Sequence, residues 1–399
     1  DRQTDRQTDR QTDRQTDRLD YIDGIRGIAS ILVVFCHLAC VFMPGLYFAE
    51  KANTTFEQIW IHSPLNIITN GNASVQCFFV LSGFLITRKV YRNREKSLIS
   101  PIKTYCKLLH IIIPAVIFSA ILMATKQMYH LQALNINPVL EFVADYNDFD
   151  VSIIDVIKDI FCLTFISGSK YVGPFWTIHN EFWGSILILT TSYYILSVGK
   201  NRKGLYIIFG IIVLCAKAQL FPFVVGAFAY DCIHDTENDT TWLGKIINFC
   251  IKHLYPVMMI VGLYLVCINW AISGIWAPLS IIPGITLICR SIGCAMCVIC
   301  IHSSRLLRSI FSAKPLQFLG RISAYIYAFH WPIILSIGCG IYIALKDIPY
   351  YYAVVIISVT VIITTCLFAF IYTKVLPKIH NAEYKVIALV KSILVKNRK

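Results

Sequence analysis

The segment IDGIRGIASILVVFCHL, residues 22–38, is apolar enough to enter a bilayer, yet it carries an arginine and a histidine. Arg26 and His37 are 11 residues apart. Because an α-helix turns by ~100° and rises by ~1.5 Å per residue, both side chains fall on one face, ~16 Å apart along the axis. A membrane anchor needs neither residue, so this spacing indicates that something long and thin lies between them.

The composition of the whole chain agrees with membrane insertion. Of its 399 residues, 56% are hydrophobic and 15% are charged, and the mean hydropathy is +0.63. These values predict an all-α fold, a polytopic transmembrane helical bundle. The net charge of +13 lies mainly in short loops between apolar runs, without a pattern of stacking aromatics, so nucleic acid is not an expected partner.

Apolar runs of spanning or nearly spanning length predict ten transmembrane helices. The runs fall at 22–43, 74–90, 108–125, 176–198, 204–217, 219–232, 254–272, 281–301, 321–341 and 351–374. The fifth and sixth runs are short and adjacent, so nine and eleven spans are alternatives to ten.

Loop charges predict the orientation of the bundle. Basic residues concentrate after the second, fourth, eighth and tenth runs, whereas the loop at 126–175 is acidic. By the positive-inside rule, both termini are cytoplasmic and the chain is an integral protein of the plasma (inner) membrane. Arg26 is then expected near the cytoplasmic end of the first span, with His37 and Glu181 in the outer half of the bilayer.

Two terminal segments are set apart from the predicted membrane domain at 19–375. Residues 1–18 are four copies of Asp-Arg-Gln-Thr followed by Asp-Arg. Such a polar, low-complexity tract is expected to be a disordered tail or an artefact of gene prediction. Residues 376–399 are expected to form a basic cytoplasmic tail.

The 15 cysteines lie mostly inside apolar runs, where they are expected to pack as small residues. Cys294 and Cys297 form a C-x-x-C pattern, but they lie in mid-span without polar neighbours. Neither a disulfide framework nor a metal site is expected from them.

Ionisable residues inside a span are costly and usually mark a pathway or a site. Arg26 has the alternative interpretation of an interfacial anchor that extends to lipid headgroups, and His37 that of a polar residue tied to a neighbouring helix. The shared helix face of the two residues favours a joint functional role.

The segment GPFWTIHNEFWG, residues 173–184, contains a second group of candidates. Thr177 and Glu181 are four residues apart and share a helix face, while Trp176 fits an interfacial aromatic belt. A carboxylate inside the bilayer needs a partner, and His37 is expected at a comparable depth. A Glu181–His37 hydrogen bond would orient the imidazole as a general base.

The segment LQFLGRISAYIYAFHWP, residues 316–332, repeats the design of the first span. Arg321 is expected at the cytoplasmic end, and Ser323, Tyr327 and His330 follow along one helix face. Ser82, in VQCFFVLSGFLIT at 75–87, is more readily explained as a small polar packing residue.

Together these motifs resemble the membrane-bound acyltransferase 3 family. The first helix of that family reads roughly L-D-G-x-R-G-x-A-x-x-x-V-x-x-x-H, and residues 19–37 follow it with Tyr21 and Ile22 inserted before Asp23. Three further segments resemble later family motifs in the same order: FFVLSGFLI at 78–86, FWTIHNEFW at 175–183 and LGRISAYIYAFHWP at 319–332. The resemblance covers residues 19 to about 375.

The resemblance implies an acyl-CoA donor, most often acetyl-CoA, that is taken from the cytoplasm. Its phosphates would meet basic residues, namely Arg26, Arg321, Lys103 and Lys107. Here the sequence departs from the family, which often carries R-x-x-R before the proline of its third helix. Lysines keep the positive charge without the bidentate geometry of a guanidinium.

The resemblance also implies the chemistry: His37, oriented by Glu181, deprotonates a sugar hydroxyl that attacks the thioester. Direct transfer and an acyl-histidine intermediate both fit. No metal is implied, and the supporting residues are Asp23, Ser82, Trp176, Thr177, Ser323, Tyr327 and His330.

The alternative function is that of a polytopic transporter or flippase for a glycan or a small acylated metabolite, since polar residues in spans also line substrate paths. A non-catalytic scaffold is a third interpretation, but it predicts loss of His37 or Glu181, and both are present. Membrane lipid and a carbohydrate or other hydroxyl acceptor are the expected partners, and a homo-oligomer is compatible with the sequence.

Overall fold

The computed structural model describes residues 19–93, 100–198, 202–234, 241–270, 272–282 and 284–396, with side chains as far as residue 375. The 1–18 tract and the side chains of the 376–399 tail lie outside these described residues. Within them, every regular element is helical, which confirms the predicted all-α class.

Long helices form the body of the described chain. They are α1 (Asp20–Phe42), α2 (Gly71–Arg92), α3 (Ser100–Ala124), α4 (Trp176–Ile195), α5 (Arg202–Lys217), α6 (Phe221–His234), α7 (Trp242–His253), α8 (Tyr255–Val266), α9 (Ile285–Ser303), α10 (Lys314–Ala344, with a π-turn at Ile334–Gly338) and α11 (Tyr350–Lys396).

Short helices and turns connect the long ones. Between α1 and α2 they are Pro44–Leu46, Ala49–Lys51, Thr55–Ile61 and Pro64–Ile68. Between α3 and α4 they are His130–Ile136, Pro138–Val143, Ile153–Lys158, Asp159–Leu163, Thr164–Ile166 and Gly173–Phe175. The remaining ones are Ala218–Leu220, Gly274–Ile281 and Arg305–Phe311.

The number of membrane spans depends on how α4 and two helix pairs are counted. By length and composition, seven helical segments of the described chain can cross a membrane, or eight if the pair α7 and α8, bent by 95°, is one span. That count joins α5 and α6 and omits α4, whose first turns carry His179, Asn180 and Glu181.

Side-chain contacts show that α5 and α6 are separate, antiparallel helices. Gly210 of α5 faces Phe221 and Val224 of α6, while Arg202 at the start of α5 lies 3.3 Å from Asp231 near the end of α6. When α4, α5 and α6 are counted individually, a helix lies at each of the ten predicted positions.

The start of α3 differs from the prediction. We expected the helix to begin at about residue 108, but it begins at Ser100. Pro101 occupies its first turn, where a missing backbone N–H costs nothing, and the lysines that follow favour helix. As a result, Lys103 and Lys107 belong to a helix rather than to a loop.

Burial separates central from peripheral helices. In an apolar 18-residue stretch of each helix, 78% of the residues of α10 and 67% of those of α1 are buried, but only 28% of those of α11. Exposed apolar residues recur every four positions along α11, at Val355, Val359, Ile363, Leu367 and Ile371. Such a stripe is expected on a helix that faces lipid, so α1 and α10 form the centre of the bundle and α11 its edge.

The two ends of the bundle differ in charge. At one end, which we call the basic end, the buried carboxylate of Asp231 accepts a hydrogen bond from Tyr91 and pairs with Arg202 and with Lys203, at 3.3 and 3.8 Å. Arg88 and Arg92 belong to the same end of α2, so positive charge predominates there. The His37 end of α1 lies opposite to it.

Candidate active site

Helices α1 and α10 run parallel and touch through glycine. A Cβ atom on Gly27 would lie 2.8 Å from the backbone nitrogen of Gly320, and one on Gly320 would lie 2.0 Å from the carbonyl oxygen of Asp23. Only glycine permits this approach of two backbones. The contact brings the His37 half of α1 beside the His330 half of α10, and Asp23 contributes to it through its backbone.

Two cavities follow α1. The His37 cavity has a volume of about 590 Å³, and the Arg26 cavity has a volume of about 90 Å³. Apolar residues form half of the lining of the Arg26 cavity, and its polar and charged lining residues are Arg26, Ser82, Lys107, Thr177, Glu181, Ser323 and Tyr327. Val75, Thr177 and Tyr327 line both cavities, so the two are neighbours.

A small hydrogen-bonded cluster separates the cavities. The Tyr327 hydroxyl donates to the carbonyl oxygen of Pro174 at 2.6 Å, and the Thr177 hydroxyl lies 2.6 Å from the Tyr327 oxygen. Thr177 also lies 3.1 Å from the same carbonyl oxygen. These three residues join α4 to α10 and form the partition between the cavities.

The hydrogen bonds of His330 identify its tautomer. Its Nδ1 lies 2.7 Å from the carbonyl oxygen of Tyr327, and a carbonyl can only accept. Nδ1 of His330 therefore carries the proton, and its Nε2 is an acceptor. That Nε2 lies 3.2 Å from Nδ1 of His37.

The same reasoning defines the state of His37. Its Nδ1 lies 3.0 Å from the carbonyl oxygen of Val33, so Nδ1 is again the protonated nitrogen and donates to both Val33 and His330. Nε2 then carries a lone pair, and it has no hydrogen-bond partner among the described residues. Because His37 lines the larger cavity, this lone pair is available to a ligand there.

Glu181 does not occupy its predicted position. Its carboxylate accepts a hydrogen bond from Ser82 at 2.7 Å and lines the Arg26 cavity. The expected hydrogen bond between Glu181 and His37 is not formed, because Nδ1 of His37 is taken by Val33 and His330. The prediction of this pair was wrong, and Ser82 makes a hydrogen bond to Glu181 in the Arg26 cavity in addition to packing.

The two faces of α4 have different neighbours. On one side, Nδ1 of His179 and Nε1 of Trp183 both donate to the carbonyl oxygen of Phe165, at 2.8 and 2.9 Å. Thr177 and Glu181 lie on the other side of the helix, as their spacing predicts. Trp176 is 43% exposed and still lines the His37 cavity.

The four predicted cations are divided by the fold. Arg26 and Lys107 line the Arg26 cavity, and Nε of Arg26 is buried without a hydrogen-bond partner. Lys103 and Arg321 are exposed and line neither cavity. Ser323 lines the Arg26 cavity and donates to the carbonyl oxygen of Gly320 at 2.8 Å.

Most of the His37 cavity comes from residues that carry no recognisable motif. The acidic 126–175 loop contributes Phe142 and Tyr146, and the connections beside α2 and α8 contribute Tyr47, Asn269 and Trp270. Single aromatic residues and asparagines in loops are too common to predict a site, so no signal in the sequence marks them. The described residues contain no cluster of three or more metal-ligating side chains, and all 15 cysteines are free.

Comparison with known proteins identifies the family. No curated protein and no solved structure matches the chain significantly. The family described as "Acyltransferase domain" (Acyl_transf_3) matches residues 19–370, which include both cavities and every helix that lines them. The chain therefore belongs to the acyltransferase 3 family and is a membrane acyltransferase.

Proposed function

We propose that the protein is an O-acyltransferase that moves an acyl group, most simply acetyl, from cytoplasmic acyl-CoA to a hydroxyl of an extracytoplasmic or lipid-linked glycan. One observation carries the proposal: His37 lines the larger cavity, its Nδ1 is held by Val33 and His330, and its Nε2 keeps an unprotonated lone pair. A neutral imidazole in this state is ready to act as a general base.

The reaction conserves atoms and charge without another reactant. Nε2 of His37 removes the proton of the acceptor hydroxyl, and the alkoxide oxygen attacks the carbonyl carbon of the thioester. The resulting tetrahedral intermediate breaks its carbon–sulfur bond, and the departing CoA thiolate takes the proton back from His37. The products are the acyl ester and CoA, and His37 returns to its initial state. Alternatively, Nε2 attacks the thioester carbonyl, the carbon–sulfur bond breaks, and CoA leaves as a thiolate from an acyl-histidine. The acceptor hydroxyl then attacks the acyl carbon, the carbon–nitrogen bond breaks, and the hydroxyl proton passes to the thiolate.

The Arg26 cavity supports a donor that enters from the basic end. Arg26 and Lys107 offer positive charge for phosphate groups, and the exposed Lys103 and Arg321 add charge nearer the surface. We place the pantetheine arm between Arg26 and His37, a distance of ~16 Å along α1. Glu181 is a natural acceptor for an amide N–H of that arm.

The partition between the cavities has a role in this arrangement. Because Thr177 and Tyr327 line both cavities, the donor arm has to pass beside their hydrogen bond or displace it. The thioester then meets the acceptor only on the His37 side. This separation keeps the acceptor away from the phosphate end of the donor.

The shape and lining of the His37 cavity support a sugar acceptor. A volume of about 590 Å³ is within the usual range of small-molecule sites. Its walls combine the aromatic rings of Trp176, Trp270 and Trp331 with polar groups such as Asn72. Flat aromatic faces suit the apolar faces of sugar rings, and the amide suits hydroxyl groups.

The orientation in the membrane is part of the proposal. We place the basic end and both termini in the cytoplasm of a plasma (inner) membrane, with the His37 cavity toward the outside. Acyl-CoA then enters from its own compartment, and the acceptor enters from the other.

Release of CoA from acetyl-CoA by the purified protein in phosphatidylcholine vesicles tests the function, with a sugar acceptor and a thiol-reactive dye. His37→Ala should lower the rate by about 10²–10⁴-fold. The matched control is His253→Ala, because His253 is exposed on α7. Equal rates for wild type and His37→Ala would overturn the role of His37, and sugar uptake without CoA release would favour a transporter.

A further inference from the structure

Arg290 is a buried guanidinium without a carboxylate partner. It is 1% exposed, and its Nε and Nη2 both donate to the carbonyl oxygen of Ile268, at 2.9 and 2.8 Å. No ion pair joins it to a carboxylate of the described residues. Its guanidinium carbon lies 5.2 Å from the centroid of the Trp270 ring, a cation–π contact. Among the described residues, no carboxylate therefore compensates its positive charge.

Tyr47 lies between this charge and the His37 cavity. The Tyr47 oxygen accepts hydrogen bonds from Nδ2 of Asn72 at 2.8 Å and from Nε1 of Trp270 at 3.1 Å. These two donors occupy both of its lone pairs. Its own O–H donates no hydrogen bond to an acceptor among the described residues. Burial raises the pKa of Tyr47 well above its ordinary value, so the hydroxyl keeps its proton and remains a donor.

Two cavities meet at this tyrosine. Arg290 lines a small cavity of about 20 Å³, which has room for about one water molecule. Tyr47, Asn269 and Trp270 line both this small cavity and the His37 cavity. A ligand in the His37 cavity can therefore contact Tyr47 directly, while Arg290 acts on it through space from behind the wall.

We propose that Tyr47, supported by Arg290, binds a negatively charged group of the acceptor, so that the acceptor is an acidic sugar carrying a carboxylate or a phosphate. The inference rests on the proposed function. A free O–H donor beside an uncompensated buried cation favours an anionic oxygen over a neutral hydroxyl. Tyr47 lines the same cavity as His37, and Arg290 lines the small cavity directly behind Tyr47.

Two other features bear on this assignment. Glu50 also lines the His37 cavity, but its side chain is exposed, so solvent screens its charge far more than that of Arg290. Arg290 also has a structural contact, because the Ile268 carbonyl that it binds accepts a third hydrogen bond from Asn70 at 3.1 Å. The test must separate binding of an anion from support of this turn.

Acetyl transfer to three acceptors separates these possibilities: methyl glucuronide, glucose 6-phosphate and the neutral methyl glucoside. With the protein in phosphatidylcholine vesicles, kcat/KM for at least one acidic sugar should exceed that for the glucoside by about tenfold or more. Tyr47→Phe should raise KM for the preferred acidic sugar by about tenfold and change KM for the glucoside much less. Tyr194→Phe, on the exposed surface of α4, is the matched control.

Arg290→Gln should reduce the same preference, and Arg290→Lys should retain part of it. Because either variant can disturb the Ile268 turn, Tyr47→Phe decides the outcome alone if they do not fold. A wild-type protein that uses the glucoside as well as the acidic sugars would overturn the inference, as would equal losses for all acceptors in Tyr47→Phe. Transfer confined to vesicles with added phosphatidylglycerol would also overturn it, since a lipid headgroup would then be the acceptor. Absence of CoA release with every acceptor would instead count against the proposed function.

Discussion

His330 holds His37 from a different helix: Nε2 of His330 lies 3.2 Å from Nδ1 of His37, and the ring centroids are 4.9 Å apart. His330 is 0% exposed and is itself tied to the carbonyl oxygen of Tyr327. The histidine pair therefore connects α1 to α10 at the His37 cavity. The pair replaces the Glu181–His37 contact that the sequence predicts.

Removal of the His330 side chain should therefore reduce kcat more than it weakens the binding of acetyl-CoA. His330→Ala leaves Nδ1 of His37 with only the Val33 contact, so kcat should fall by about tenfold, the rate equivalent of one hydrogen bond. KM for acetyl-CoA should stay near that of wild type. His330→Gln, which retains an acceptor oxygen, should recover part of the loss in steady-state CoA release. A change in KM with an unchanged kcat would contradict this positioning role.

Arg26 should contribute much more than Arg321 to the binding of acetyl-CoA, although the sequence predicts that both contact its phosphates. Arg26→Ala removes a cation with a buried, unpartnered Nε, and KM for acetyl-CoA should rise by about 10–100-fold. Arg321→Ala removes an exposed charge and should change KM by less than about fivefold. Binding of acetyl-CoA to both variants by isothermal titration checks the difference, with Arg26→Lys expected to lie between them. Equal effects at the two positions would place the phosphates outside the Arg26 cavity.

Glu181→Gln should change donor binding and leave the base intact. The amide can still accept a hydrogen bond from Ser82, but the negative charge in the Arg26 cavity is lost. KM for acetyl-CoA should change by about tenfold while kcat stays close to that of wild type. Ser82→Ala tests the other side of the same hydrogen bond. A loss of kcat as large as that of His37→Ala would show that Glu181 contacts the reacting groups during turnover.

His130 should make the thermal stability of the protein sensitive to mild acid. It is 2% exposed on the His130–Ile136 helix, Nε2 donates to the carbonyl oxygen of Tyr146 at 2.7 Å, and Nδ1 is buried without a partner. Burial lowers the pKa of His130 below its ordinary value of 6.5. As the pH falls below about 6.5, the unfolded chain binds the proton first, so the free energy of unfolding decreases. Above that pH, His130 causes no pH dependence.

The measurement is the unfolding midpoint in detergent at pH 7.5 and pH 5.5, for wild type and His130→Gln. Glutamine retains the donor to Tyr146 but does not titrate. The midpoint of wild type should fall by about 1–3 °C more than that of the variant. The exposed His253→Gln variant is the control and should follow wild type. Parallel curves for wild type and His130→Gln would contradict the prediction.

The sequence by itself determined the helical class, the positions of the long apolar helices and the face shared by Arg26 and His37. It also placed Thr177 with Glu181, since all of these depend on hydropathy or on spacing within one helix. The resemblance in four ordered motifs identified the acyltransferase family before any contact between helices was known.

Only the tertiary structure decided the partners across helices. Close packing of Gly27 against Gly320 sets the relative position of α1 and α10, and the pairing of His37 with His330 follows from that position. Contact between α2 and α4 places Glu181 beside Ser82, and Tyr47 and Arg290 line one small cavity. Such pairs join residues as much as 293 positions apart, and their geometry depends on side-chain packing between helices, which no periodicity along one helix encodes.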